Sequence, residues 1–269
     1  RMIKRAFLRG LGAGMVLALV LSLFGSFSGP GFASRPVEDA PVPLSAQTDI
    51  GSEVATVPIG TYEVVSSYHS IEVAEGVTVT ARVRAPIDAP EGLPAVVFLH
   101  GAGTADYLGF PQQAEALASA GIVAVVPDKR MDTYSLQHRD YVASAADYHA
   151  SVDFAQTLPG VDPTRVGIYA ESEGAYIAPV LAVAYDDVAF VALVSAPVVP
   201  GRQQGAYAAA TYLTNTGVPE IVFRAVPRAL GAEFPFGWLD YADFDPQPYQ
   251  QQMTQPLFIA YGTSDASMP

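Results

Sequence analysis

The sequence predicts an α/β fold built on a mostly parallel β-sheet with helices on both faces. From residue 95 onward, short aliphatic runs alternate with longer stretches whose apolar residues have helical spacing. The short runs are apolar at consecutive positions, which is typical of parallel strands that are buried on both faces. A length of 269 residues with 50% hydrophobic residues is sufficient for one large domain of this class.

The elements of this domain are assigned in chain order. Two alternating stretches, residues 62–73 and 77–83, flank Glu75-Gly76 and predict an antiparallel hairpin. Further strands and helices then alternate along the chain. The strands are predicted over residues 95–99, 122–126, 165–169, 190–194 and 257–261, and the helices over residues 111–120 and 140–158.

The alternation is interrupted over residues 197–255. This stretch is rich in proline, glutamine and aromatic residues. A long aromatic insertion between two strands of a sheet predicts a cap over a pocket. The alternative interpretation is a packed excursion that does not contact a substrate.

Residues 1–33 predict an export signal. A basic segment that ends at Arg9 precedes an apolar run over residues 11–27, and Gly31 and Ala33 form a small-x-small cleavage pattern. The alternative is an uncleaved N-terminal membrane anchor, because the apolar run is close to the shortest spanning length. Both interpretations predict a folded part outside the cytoplasm, either secreted or in the cell envelope.

Residues 34–58 predict a flexible linker, because they are rich in proline, alanine, serine and acidic residues and have no apolar period. The folded domain is therefore expected over residues 59–269. It contains the predicted cap insertion.

The charge distribution argues against nucleic acid as a partner. All 27 acidic residues follow position 33, whereas four of the 14 basic residues precede it. A strongly acidic domain repels phosphate backbones and anionic membranes, so membrane contact is expected only through an uncleaved N-terminal segment. The chain has no cysteine, which excludes disulfides, a thiolate nucleophile and cysteine-based metal sites.

Ser172 is the strongest candidate for a catalytic residue. It lies in Ala170-Glu171-Ser172-Glu173-Gly174, directly after a predicted strand and before an apolar helical stretch. A strand that runs into small-x-Ser-x-Gly predicts a tight turn that raises the serine Oγ above the sheet. The N-terminus of the following helix has free N–H groups, and that of Glu173 is a candidate donor to an oxyanion.

The loop after the strand 95–99 supplies the second candidate group. Its sequence is His100-Gly101-Ala102-Gly103-Thr104, and the glycines let the main chain approach a substrate closely. The N–H of Ala102 is the predicted second oxyanion donor. His100 is interpreted as a structural anchor of this loop rather than as a base.

Asp265 is the candidate acid. It follows the strand 257–261 and a Gly-Thr-Ser turn, where a carboxylate is able to orient a catalytic histidine. No histidine follows Ser172 in the sequence. Of the earlier histidines, His69, His138 and His149 are not expected in loops at the carboxyl ends of strands, where the catalytic groups of such sheets gather.

The chain resembles the EstD-type bacterial carboxylesterases of the α/β-hydrolase superfamily, with dienelactone hydrolase-like and acylaminoacyl-peptidase-like proteins as neighbouring groups. The resemblance covers about residues 94–269. The matching segments are Leu99–Asp106, Asp162–Gly167, Glu171–Pro179 and Tyr261–Asp265. Two features depart from the pattern: Ala170 and Glu171 replace the usual Gly and His, and the histidine loop is absent.

The resemblance implies a serine carboxylesterase that acts on a small-molecule ester through an acyl-enzyme on Ser172, with Asp265 as the acid and no cofactor. It also implies that the last strand and the histidine loop follow Pro269, so a chain that stops there is expected to be nearly inactive. The alternatives are an S9-like peptidase or amidase, and a non-catalytic α/β-hydrolase-like binding protein. No metal site is predicted, because the spacing of Asp240, Asp243 and Asp245 does not match a calcium loop.

Overall fold

The structure is a computed structural model that describes residues 60–103, 105–135, 137–215, 239–262 and 265–268. The predicted export signal and linker lie outside the described residues, as do residues 216–238 of the predicted cap. Among the helices of the described residues, none has both the length and the apolar character needed to cross a membrane.

Seven strands form one sheet in the spatial order β1-β2-β4-β3-β5-β6-β7. The hairpin strands β1 and β2 are antiparallel, and β2 also pairs antiparallel with β4. All other neighbouring strands are parallel, which confirms the predicted sheet type. The strands are β1 (Val64–Ala74), β2 (Val77–Pro86), β3 (Leu93–Leu99), β4 (Val123–Pro127), β5 (Val161–Glu171), β6 (Val191–Val194) and β7 (Leu257–Ala260).

The described helices connect these strands or lie in the insertion between β6 and β7. Helix α1 follows β3 and α2 follows β4, as the sequence predicts. Helix α3 follows β5, and α4 and α5 belong to the insertion. Their bounds are α1 (Pro111–Ser119), α2 (Tyr141–Gln156), α3 (Gly174–Ala184), α4 (Gly201–Asn215) and α5 (Gln247–Gln250).

Helices cover both faces of the sheet, as predicted. Along β3, Ala95, Val97 and Leu99 pack in a cluster with residues of α2 and α3. Val96 and Phe98 point to the opposite face and pack with Ala114 of α1. Successive side chains of a strand alternate between faces, so a run that is apolar at every position buries both sides.

Strand β5 begins earlier than its sequence predicts. Asp162-Pro163-Thr164 has the composition of a turn, and Asp162 Oδ1 does accept hydrogen bonds from the Thr164 N–H (2.9 Å) and Oγ1 (2.7 Å). Even so, Val161 pairs with Leu93, and the register shifts before Ala95 pairs with Val166. The local turn is therefore accommodated as an irregularity within the strand.

Candidate active site

Ser172 occupies a tight turn between β5 and α3. Its φ angle is 53°, in the left-handed region that non-glycine residues seldom adopt. The Ser172 N–H donates to the Val194 carbonyl of β6 (3.1 Å), and its own carbonyl accepts from the Ala175 N–H (3.0 Å). These two bonds fix the turn between the end of a strand and the first turn of a helix.

The turn packs directly against the end of β3 and the loop that follows it. A Cβ added to Gly174 would lie 2.5 Å from the Leu99 carbonyl oxygen and 2.9 Å from that of His100. A Cβ added to Gly101 would lie 3.5 Å from the Cβ of Ser172. Position 174 therefore requires glycine because backbone atoms occupy the space of a side chain, and Gly101 is brought beside the serine.

His100 is buried beneath this loop, with 3% of its surface exposed. Its Nε2 lies 2.7 Å from the Pro127 carbonyl oxygen, its backbone N–H donates to the Tyr148 hydroxyl (3.2 Å), and its ring stacks on Phe110. Burial lowers the pKa of His100 to about 4, although the bond to Pro127 opposes that shift. The ring is therefore neutral near pH 7 and donates through Nε2, as expected of an anchor.

Several main-chain N–H groups near Ser172 have no hydrogen-bond partner among the described residues, and those of Ala102 and Glu173 are among them. The next N–H along the loop, that of Gly103, donates to the Tyr134 hydroxyl (2.9 Å). Ala102 is exposed, and Glu173 begins the first turn of α3. Unpaired N–H groups of this kind are able to bind an anion. Their assignment as oxyanion donors stays a prediction.

The side chain of Glu173 lies in a buried ionic cluster that the sequence analysis missed. Glu173 is 4% exposed, and its Oε1 lies 2.7 Å from the Nζ of Lys129, which is 7% exposed. Its Oε2 pairs with Arg139 and accepts a hydrogen bond from the Tyr134 hydroxyl (3.2 Å). Burial lowers the pKa of Lys129 against the opposing effect of Glu173.

One signal in the sequence points toward this cluster. Lys129 is the single lysine after residue 4, and it follows the predicted strand 122–126 in a domain with a large excess of acid. A lone lysine at the carboxyl end of a buried strand is a candidate for a paired, buried charge. The partner was not predictable, because Glu173 lies on a different strand-to-helix connection.

Glu171, on the other side of Ser172, has a different environment. It is partly buried, and burial raises the pKa of its carboxyl group. Within the described residues no salt bridge pairs it with a cation, in contrast to Glu173. The two carboxylates that flank the serine are thus electrostatically unlike.

Asp265 follows β7, at the same edge of the sheet as Ser172. Both residues come after the carboxyl ends of parallel strands, with β6 between them. The Asp265 Oδ1 accepts from the N–H groups of Ser267 (2.8 Å) and Met268 (3.0 Å). Among the described residues, no hydrogen bond joins Asp265 to Ser172 or to a histidine, so its role as the acid stays a prediction.

All four histidines of the chain are described, and each has a partner other than Ser172. His69 bonds Ser67 Oγ (2.8 Å), His100 bonds Pro127, His138 pairs with Asp240, and His149 Nε2 lies 3.0 Å from Asp187 Oδ1. Serine activation requires an adjacent base. Such a base is not placed at Ser172 by any of these four residues.

The position expected for His138 is wrong. It lies in the loop between β4 and α2, which follows the carboxyl end of β4, at the same edge of the sheet as Ser172. It precedes Arg139, the partner of Glu173. His138 was expected beside the helix because only two residues separate it from Tyr141, whereas its side chain pairs with Asp240 of the insertion.

The aspartates of the insertion form separate contacts. Asp240 pairs with His138 and accepts from the Arg139 N–H, Asp243 pairs with Arg202, and Asp245 accepts from the Gln247 N–H (3.0 Å). Elsewhere in the described residues, His149 lies between Asp187 on its Nε2 side and Asp153 on its Nδ1 side. One ligand atom from each of these three residues lies within 4.8 Å of the other two.

Solved structures with the same architecture include several hydrolases. A protein assigned as a dienelactone hydrolase from Klebsiella pneumoniae superposes with a TM-score of 0.55 at 15% identity, over 77% of this chain and 76% of that chain. The thermostable carboxylesterase EstE1 from a metagenomic library gives a TM-score of 0.51 at 18% identity, over 78% of this chain and 82% of that chain. No family model and no curated protein sequence matches the chain.

A third similar structure is a protein assigned as a dipeptidyl aminopeptidase IV from Bacteroides ovatus. It gives a TM-score of 0.53 at 17% identity, over 76% of this chain. The present chain spans 29% of the length of that protein. Three proteins with different named activities therefore have folds similar to that of this chain.

The chain has the α/β-hydrolase fold. At these identities the likeness establishes the fold alone, and the closer resemblance to the EstD type stays a prediction. In this fold a nucleophilic serine lies in a sharp turn between a strand and a helix. Ser172 lies in such a turn after β5, and Asp265 follows β7; their catalytic roles stay predictions.

Proposed function

We propose that this protein is an exported serine hydrolase that cleaves small-molecule carboxylic esters through an acyl-enzyme on Ser172. The observation that carries the proposal is the conformation of Ser172, which has a φ angle of 53° between β5 and α3. Strain at a non-glycine residue persists where the surrounding structure imposes it, and it is common at catalytic residues. The unpaired N–H groups of Ala102 and Glu173 support the same proposal.

The reaction would proceed in two halves. Ser172 Oγ attacks the ester carbonyl carbon while a base takes its proton, and the N–H groups of Ala102 and Glu173 bind the resulting oxyanion. The bond from carbon to the alcohol oxygen then breaks, and the base returns the proton to the leaving alcohol. A water molecule, deprotonated by the same base, attacks the acyl-enzyme and releases the acid and Ser172.

The reaction requires a base that accepts a hydrogen bond from the Ser172 hydroxyl and that is oriented by Asp265. In α/β-hydrolases this base is a histidine. The gene sequence beyond codon 269 tests the expectation directly. A further strand followed by a loop histidine supports the esterase, whereas a stop codon there favours the non-catalytic binding protein.

The activity is tested on the full-length gene product with p-nitrophenyl acetate and butyrate and with a fluorophosphonate probe. Ser172→Ala is expected to lower kcat at least about 1,000-fold and to abolish labelling, because it removes the nucleophile. Ser195→Ala is the matched control: Ser195 directly follows the neighbouring strand β6 and also has a positive φ, 51°. Turnover and labelling that survive in Ser172→Ala would contradict the proposal.

The amidase alternative is separated by substrate. The turn at Ser172 and the two N–H groups serve ester and amide cleavage equally, because both pass through a tetrahedral oxyanion. An aminoacyl p-nitroanilide is assayed beside the esters for this reason. A kcat/KM for the anilide above that for the esters would favour the peptidase.

Export is proposed on the composition of residues 1–33, which lie outside the described residues. Export is tested by expressing the full chain and a variant that begins at Ser34, and by comparing the amount of each protein found outside the cytoplasm. N-terminal sequencing of the mature protein separates a cleaved signal from a retained anchor.

A further inference from the structure

The structure assigns Lys129 as a positioning residue for the oxyanion donors: its ammonium group binds the peptide unit whose N–H belongs to Ala102 and the carboxylate of Glu173. This inference rests on the proposed function, since it concerns the same two N–H groups. It adds a residue that lies outside the predicted catalytic set. Lys129 does not contact the reacting atoms and acts through the main chain.

The contact with the loop is the first step. The Lys129 Nζ donates to the Gly101 carbonyl oxygen at 2.7 Å and lies 3.4 Å from the Gly103 carbonyl oxygen. The Gly101 carbonyl and the Ala102 N–H belong to one planar peptide unit. A charged donor on the carbonyl therefore fixes the direction of the N–H, and it also polarises that N–H toward an anion.

The contact with the helix is the second step. The same Nζ lies 2.7 Å from Glu173 Oε1, and Glu173 supplies the other unpaired N–H at the start of α3. The two predicted donors come from different connections, one after β3 and one after β5. Lys129, in the loop after β4, is bonded to both connections through a single ammonium group.

Tyr134 closes the cluster on the other side. Its hydroxyl accepts from the Gly103 N–H (2.9 Å) and donates to Glu173 Oε2 (3.2 Å). The N–H of Gly103 is therefore already bonded and does not point to the serine as a free donor. The loop is held at Gly101 by a cation and at Gly103 by a hydroxyl, and the N–H of Ala102 between them is left unpaired.

The charges of the cluster add a second effect. Lys129 and Arg139 both pair with the carboxylate of Glu173, so these three side chains together carry one positive charge in excess. A buried positive charge stabilises an anion that forms nearby, because the low local dielectric leaves it poorly screened. Removal of Lys129 would leave Glu173 paired with Arg139, so the carboxylate would retain a partner.

The experiment compares Lys129→Met, Tyr134→Phe and the control Arg82→Met in the full-length gene product. Arg82 is also a buried cation, 5% exposed, that donates to a backbone carbonyl, that of Gly109 (2.9 Å). Two readouts are used: kcat and KM for p-nitrophenyl butyrate, and the hydrogen-exchange rate of the Gly103 amide by NMR. Tyr134→Phe serves as the smaller change if Lys129→Met does not fold.

Lys129→Met is expected to lower kcat about tenfold or more, with KM changed less than about threefold, because it weakens binding of the transition state. The Gly103 amide is expected to exchange at least about tenfold faster, and Tyr134→Phe is expected to change both readouts in the same direction. Arg82→Met is expected to lower Tm without changing kcat.

Two results would overturn the inference. One is a kcat for Lys129→Met within twofold of wild type, and the other is an equal loss of kcat in Arg82→Met, which would reflect general destabilisation. Failure of the proposed function is distinguishable, because wild type would then show no turnover and no labelling at Ser172. In that case the hydrogen-exchange rate of the Gly103 amide would still test whether Lys129 holds the loop. A rate in Lys129→Met equal to that of wild type would overturn the inference.

Discussion

Polar side chains at the carboxyl edge of the sheet differ in their burial and in the groups that they contact. Glu173 is buried and paired with two cations, whereas Glu171, two positions earlier, is partly buried and burial alone raises its pKa. His100 is buried against carbonyl and aromatic groups and has a lowered pKa. Glu171 and Glu173 therefore have different surroundings although they flank the same serine.

Burial of neutral His100 predicts an acid-sensitive contribution to stability. The pKa is about 4 in the folded protein and 6.5 in the reference state. As pH falls through this window the unfolded chain binds the proton first, so the contribution is present above pH 6.5 and is lost toward pH 4. The loss amounts to about 3 kcal/mol of unfolding free energy.

His100→Gln tests this prediction, because glutamine retains a donor for the Pro127 carbonyl but does not titrate. Urea unfolding is measured at pH 7, 5.5 and 4 for both proteins. The gap between wild type and variant is expected to narrow by about 3 kcal/mol as pH falls from 7 to 4. A gap that is constant with pH would show that His100 does not titrate in this window.

Helix α2 shows how a local signal defines an element. Asp140 precedes the helix, and its Oδ1 accepts from the N–H groups of Val142 (3.0 Å) and Ala143 (2.9 Å). The sequence predicts a helix from Asp140 onward, and in the structure the helix begins at Tyr141. An N-cap is readable from sequence because the side chain bonds its own neighbours along the chain.

Asp140→Ala is expected to lower the unfolding free energy by about 1 kcal/mol, because it leaves two N–H groups of the first helical turn without their acceptor. Urea unfolding at pH 7 measures it. Asp140→Asn is the control, since an asparagine oxygen also caps the helix, and it is expected to change stability by a few tenths of a kcal/mol. Equal losses in the two variants would assign the effect to charge instead.

The described part of the insertion packs on the rest of the molecule through aromatic rings. Phe244 lies 4.9 Å from the ring of Tyr141 on α2 and 6.0 Å from that of Tyr176 on α3, and it stacks on Tyr249. Tyr176 also donates to the Val199 carbonyl (3.1 Å) at the start of the insertion. Residues 239–253 are therefore joined to the helices that flank Ser172, whereas a cap function stays a prediction.

Phe244→Ala is expected to lower the unfolding free energy by about 2–3 kcal/mol, because the cluster loses its central ring and only part of the space is refilled. Chemical unfolding measures the loss, and limited proteolysis is expected to cut residues 239–255 faster. Val198→Ala is the control at an exposed position, where 40% of the side chain is accessible, and is expected to change stability by less than about 0.5 kcal/mol. A loss below 1 kcal/mol in Phe244→Ala would show that the ring cluster contributes little.

Consecutive apolar positions predicted the strands β3, β4 and β6, because in a doubly covered sheet every side chain of a strand is buried. The turn at Ser172 was predictable for a similar reason: a strand, a small-x-Ser-x-Gly pattern and a helix are adjacent in the chain. Gly174 is required by a contact that only folding creates, since the atoms that exclude a side chain are the carbonyls of Leu99 and His100. The sequence pattern therefore predicts a glycine at position 174, but it does not show which atoms exclude a side chain there.

The sequence by itself determined the sheet type, the position of Ser172 between a strand and a helix, and the place of Asp265 after the last described strand. Each follows from patterns of residues that are neighbours along the chain. The tertiary structure alone decided that Glu173 is a buried partner of Lys129 and Arg139, and that His138 lies at the carboxyl edge of the sheet. These relations join connections that follow different strands, and the parallel sheet brings them together because it gathers the carboxyl ends of its strands along one edge.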